Sequence, residues 1–125
     1  MSAEKDIWNF EPSEDLLRSL DDLSPERRHA AMDQLNRGRA AMVAARDALR
    51  DSARDMEQMV RNLRPLLQEA DTEDRREAVL DMMMCAQLSA EAALALVRAD
   101  PKASAEHQRS VEEHIRRLKD RMDRP

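Results

Sequence analysis

The chain has 125 residues, 42% of them apolar and 38% charged, with a formal net charge of -5. That length suits one domain, and the acidic balance argues against general affinity for nucleic acid or an anionic membrane. A mean hydropathy of -0.78 would by itself suggest disorder, but Leu, Met, Val and Ala recur at helical spacing, which disordered chains lack.

One Gly and five Pro leave few places for turns, so the elements must be few and long. There is no Tyr and only one Trp and one Phe, while the good helix formers Ala, Arg, Glu, Leu and Met dominate. The expected class is all-α: a long heptad-patterned helix with two shorter antiparallel helices, as a helical hairpin or three-helix bundle, preceded by a short helix and an extended tail. Residues 1–12 read as the tail and 13–125 as a single helical domain. The lone Cys85 excludes an intramolecular disulfide. Residues 1–6 are unlike a signal peptide, and no run reaches the roughly 18 apolar residues of a membrane span, so a cytoplasmic location is expected.

The tail carries both rings of the chain, Trp8 and Phe10, beside Ile7 and among Glu4, Asp6, Glu11, Glu14 and Asp15. A hydrophobic-acidic segment of this kind suits a linear motif that orders in a partner's groove. The alternative is that the same side chains fold back and cap the chain's own helices. Ser13 then caps a short helix over 14–22, whose sticky side is Leu16, Leu17, Leu20 and Leu23.

Ser24, Pro25 and Glu26 form a helix start of cap, fixed φ and favourable charge. From there the pattern runs to about residue 62, roughly 55 Å at 1.5 Å per residue, and Pro65 predicts a kink or stop with a distal turn to residue 70. Leu35, Met42, Leu49, Met56 and Leu63 fall at seven-residue intervals, and Gly38, Ala45, Ser52, Met59 and Leu66 follow three positions on. This is the repeat of left-handed supercoiling. The second row is graded from Gly to Leu, so its thin N-terminal half, near Gly38 and Ala45, is the part expected to meet another molecule. A core internal to the chain is the other use of the same seam. Arg39, Arg46, Arg50, Arg54 and Arg61 form a stripe beside it, and Asp33, Asp47, Asp51 and Asp55 form the next. Pairs such as Asp47 with Arg50 contribute a few tenths of a kcal/mol each, and the Asp row cancels the field that phosphate binding would need.

Asp71 or Thr72 caps a third helix that runs to about residue 99. Val79, Met83, Ala86, Ala90, Ala93 and Val97 make one stripe, while Leu80, Met84, Leu88 and Leu94 fall outside it. A helix apolar over most of its circumference needs cover on more than one side. Leu80, Met84 and Leu88 are therefore candidate partner contacts, and unbranched Met suits a surface that adapts. Cys85 reads as a small buried apolar residue.

Asp100 and Pro101 end that helix and begin the last, from about residue 102, or 104 if Ser104 is the cap, to about 122. Val111, Ile115, Leu118 and Met122 form its docking stripe. His107 and His114 sit near the stripe with no acidic residue three positions before either, and Glu26 with His29 is the one Glu-x-x-His pair, so no metal or other cofactor is expected. The basic end, Arg116, Arg117, Lys119, Arg121 and Arg124, suits the negative end of the helix dipole.

No Gly-rich phosphate loop and no nucleophile-base spacing is found, so an enzyme is not expected. The expected function is a non-enzymatic protein–protein interaction module: an adaptor, an assembly or secretion chaperone, or a subunit of a complex. Its contacts would be Ile7, Trp8 and Phe10 in the tail, Leu35, Gly38, Met42, Ala45 and Leu49 on the seam, and Leu80, Met84 and Leu88. Protein partners in a homo- or hetero-oligomer are expected, with neither nucleic acid nor membrane. A self-associating coiled-coil protein is the alternative, and a regulator on nucleic acid a more distant third.

Overall fold

The computed structural model describes Trp8 and residues 11–124. These residues form four helices, with no strand among them: α1 (Glu14–Asp21), α2 (Pro25–Glu69), α3 (Glu73–Val97) and α4 (Pro101–Met122). The chain is all-α. Contacts divide it into two units, residues 1–48 and 49–125, and the division falls within α2.

Capping residues set the helix starts. Ser13 Oγ accepts the Leu16 N–H at 3.2 Å and Ser24 Oγ accepts that of Arg27 at 3.3 Å. Thr72 Oγ1 accepts from Arg75 at 3.1 Å, and Asp100 Oδ1 from Ala103 at 3.1 Å with Pro101 in the first turn. Each bond satisfies one of the backbone donors that a helix start leaves open. Ser104 is not a cap. It lies inside α4, almost fully buried.

Two features depart from expectation. Pro65 neither stops nor splits α2, which continues to Glu69. The missing N–H removes a single bond, and so near the helix end few turns are left to lose. Second, α3 contains an 18-residue window that meets a hydropathy test for a membrane span, with mean hydropathy 1.4 over the best window. Asp81 and Glu91 interrupt the apolar run and lower its average, but not enough to take it out of that range.

In the first unit, α1 sets Leu20 inward, while Leu16 and Leu17 stay exposed. Arg28, from the first turn of α2, returns to the end of α1, where its guanidinium donates to the carbonyls of Leu20 at 3.2 Å, Asp21 at 2.9 Å and Leu23 at 3.5 Å. One cation thus closes the carbonyl end of α1 and suits its dipole.

In the second unit, Ala53 of α2 packs with Ala90 and Ala93 of α3, flanked by Leu49, Met56 and Leu94. The buried apolar residues of this unit are Ala53, Val79, Ala86, Ala90, Ala92, Ala93, Ala95 and Val97. Such small side chains let helices approach closely but remove little apolar surface from water, at roughly 25 cal/mol per Å². The Leu and Met side chains lie at the margins.

Candidate interaction surface

Three sides of α3 are distinct. Towards α2 it presents the alanines of the core cluster. Towards α4 it presents Asp81, whose side chain is only 9% exposed and is met by one histidine and two arginines. His114 Nδ1 lies 2.8 Å from Asp81 Oδ1, Arg121 Nη1 lies 3.1 Å from Oδ2, and Arg117 stands farther off at 3.8 Å. Arg121 also donates to Glu77 at 3.0 Å. A carboxylate in this setting needs partners, because burial of an unpaired charge is costly.

The other contacts along this interface run in order. Glu91 meets His107 at 3.6 Å, Cys85 Sγ lies 3.9 Å from the Val111 carbonyl, and Asp74 meets Arg124 at 3.9 Å. Rising numbers on α4 meet falling numbers on α3, so the two helices are antiparallel. The basic end of α4 is therefore spent largely on α3. His114, half-buried, is part of a cross-helix network, and Asp81 is the residue that sequence spacing did not single out. Burial pushes the Cys85 thiol above its usual range, and the negative charge of Asp81 one turn away pushes it in the same direction.

Among the described residues the third side is uncovered. Leu80 and Met84, one turn apart on α3, are 43% and 41% exposed. Leu88 is half-buried. No known protein family, curated protein or solved structure matches the chain. The reading of this surface rests on its chemistry.

The remaining expected contacts fall in both units. Leu49 flanks the alanine cluster of the second unit. In the first unit Leu35 is half-buried and lines a hollow with Leu16, Leu20, Ala31 and Gln34. Met42 is half-buried, whereas Gly38 and Ala45 are exposed. Trp8 is half-buried and lines a hollow of about 570 Å³ with Glu11, Arg39, Ala40, Val43, Ala44 and Asp47. Beside it Glu11 pairs with Arg39 at 3.3 Å. Ile7 and Phe10 lie outside the described residues. Among the described residues no group of three His, Cys, Asp or Glu side chains could hold a metal ion.

In the second unit a groove of about 390 Å³ is lined by Leu66 and Ala70 of the α2 end and Ala78, Val79 and Met82 of α3. Leu66 and Met59 remain 48% and 45% exposed. Large apolar side chains concentrated on uncovered faces mark contact surfaces more often than isolated exposed ones do.

Proposed function

We propose that the chain is a non-enzymatic protein–protein interaction module, an adaptor, assembly or secretion chaperone, or complex subunit, built as an antiparallel helical bundle. The observation that carries the reading is the pair Leu80 and Met84, more than two-fifths exposed on a helix whose other two sides are already occupied. Their flexible, apolar tips suit a groove or helix face on another polypeptide. The tail residues Ile7, Trp8 and Phe10 form a second contact of the same module. We place the protein in the cytoplasm: the charge of Asp81, fixed to α4 through His114 and Arg121, gives α3 the character of a core helix and not of a membrane span.

Replacing Leu80 and Met84 together by Glu tests the reading. Partner capture with the wild-type chain, lost in the double variant at unchanged melting temperature, supports it. Capture that survives in a folded variant overturns it. The alternative, a self-associating coiled-coil protein, is favoured by the graded row on α2.

A further inference from the structure

We propose that the uncovered side of α3 is covered by the same side of α3 from a second copy of this chain, running antiparallel and centred on the level of Met82. The surface lies wholly within α3 and within the second unit. Glu73, Glu77, Leu80, Met84, Gln87 and Glu91 follow one another at alternating steps of four and three residues, the spacing of a coiled-coil seam. All are exposed except Glu91, which is half-buried. Met82 stands between Leu80 and Met84 in sequence but projects to the opposite side of the helix, where it lines the groove with Leu66.

The order of charged and apolar residues makes this row complementary to itself. In the antiparallel pair Leu80 faces Met84 of the second copy, and Met84 faces its Leu80. Gln87, an amide donor, faces the carboxylate of the second copy's Glu77. At each end Glu73 comes level with Glu91 of the other copy, and Arg76 lies within a turn of both. Long side chains on a helix lean towards its N-terminus, which in antiparallel helices brings Arg76 and the second copy's Glu91 towards each other. Arg76 makes no ion pair among the described residues. Glu91 holds Gln87 at 3.3 Å and His107 at 3.6 Å within its own chain, and the guanidinium adds to these. A parallel pair would set Glu73 on Glu73, Arg76 beside Arg76 and Glu91 on Glu91, and like charges in contact oppose it. Charge thus selects direction and register, while Leu80 and Met84 supply the apolar contact. The same surface serves both copies, so the pairing is isologous and closes at two.

This inference rests on the contact-module reading and names the partner of Leu80 and Met84. Sedimentation of the full chain from low to high micromolar concentration should give a monomer–dimer equilibrium that stops at the dimer. A monomer throughout, or open-ended growth, overturns the inference. A monomer that still captures a different polypeptide through Leu80 and Met84 overturns it too, while leaving the contact-module reading standing. Leu80→Glu with Met84→Glu should weaken the dimer roughly tenfold or more at unchanged helicity, and Met82→Glu on the opposite side should not weaken it. A dimer indifferent to the first change, or lost equally in the second, sinks the proposal. Arg76→Glu and Glu91→Lys should each weaken the dimer alone, and mixing the two proteins should restore it as a heterodimer, because unlike charges then meet at both ends. A mixture no stronger than its parts contradicts the register. For direction, Leu80→Cys and Met84→Cys proteins, each with Cys85→Ala, are mixed under mild oxidation. The expected product is the disulfide between positions 80 and 84, and exclusive formation of 80–80 and 84–84 would contradict the antiparallel pair.

Discussion

His114 and Asp81, 33 residues apart in sequence, meet at 2.8 Å across the α3–α4 interface. With Arg121 on the other carboxylate oxygen, they fix α4 to the most apolar helix of the chain. Arg121 is buried deeply enough, at 18% exposure against 58% for Arg117, for its loss to be felt. Arg121→Ala should cost about 2–3 kcal/mol, below the about 3–5 kcal/mol of a fully buried broken pair. Arg117→Ala should cost under about 0.5 kcal/mol. Urea melts of the two variants compare them, and equal losses would mean that the network is not centred on Arg121.

The Cys85 thiol sits one turn from the same carboxylate, and its raised pKa has a definite consequence for pH dependence. Below the unfolded pKa, about 8.5, both states hold the proton and the group leaves stability unchanged. As pH rises past that value the unfolded thiol ionises first, so stability falls until the folded thiol ionises too. Alkylation rates followed from pH 8 to 10 should therefore lag those of the urea-unfolded chain. The lag should shrink in Asp81→Asn, though not vanish, because burial is the larger cause.

Ala99 has φ 59, the left-handed region that suits glycine. It closes α3 in a Schellman turn, in which the Asp100 N–H donates to the Ala95 carbonyl at 2.9 Å and the Ala99 N–H to that of Leu96 at 2.9 Å. Ala99→Gly should stabilise the protein by about 1 kcal/mol, since a non-glycine residue in this region costs about 1–2 kcal/mol. Ala99→Val should destabilise it. Thermal melts of both variants check the opposite signs.

Arg28 closes the end of α1 with three carbonyl contacts. Arg28→Ala should cost about 1–2 kcal/mol, the scale of hydrogen bonds to a charged group that is partly exposed. The loss should be local to the first unit. Hydrogen exchange should quicken at residues 17–23 and stay unchanged across α3 and α4. Uniform quickening would assign Arg28 a wider role.

Local chemistry was the legible part of this chain. Ser13, Ser24, Thr72 and Asp100 with Pro101 announce their helices because a cap acts within four residues. The buried stripe of α3, Val79, Ala86, Ala90, Ala93 and Val97, follows from period 3.6 alone. Asp81 did not stand out, because one acid in a run of Leu and Met carries no period and its partners lie a whole helix away. The basic end of α4 looked like a dipole complement for the same reason: nothing local pairs Arg121 with Glu77. Pro65 overstated the break, since its effect depends on how much helix follows. Leu80 and Met84 were legible as residues left over from a stripe, and their exposure follows from the two sides of α3 that are filled.

The central claim is that another polypeptide covers the uncovered side of α3. A photo-crosslinking residue placed at Leu80 or Met84 in the living cell tests it most directly, with the same residue at exposed Glu113 as control. The account predicts one discrete crosslinked species from positions 80 and 84 and none from 113. No crosslink at 80 and 84, or the same diffuse products from all three positions, would contradict it.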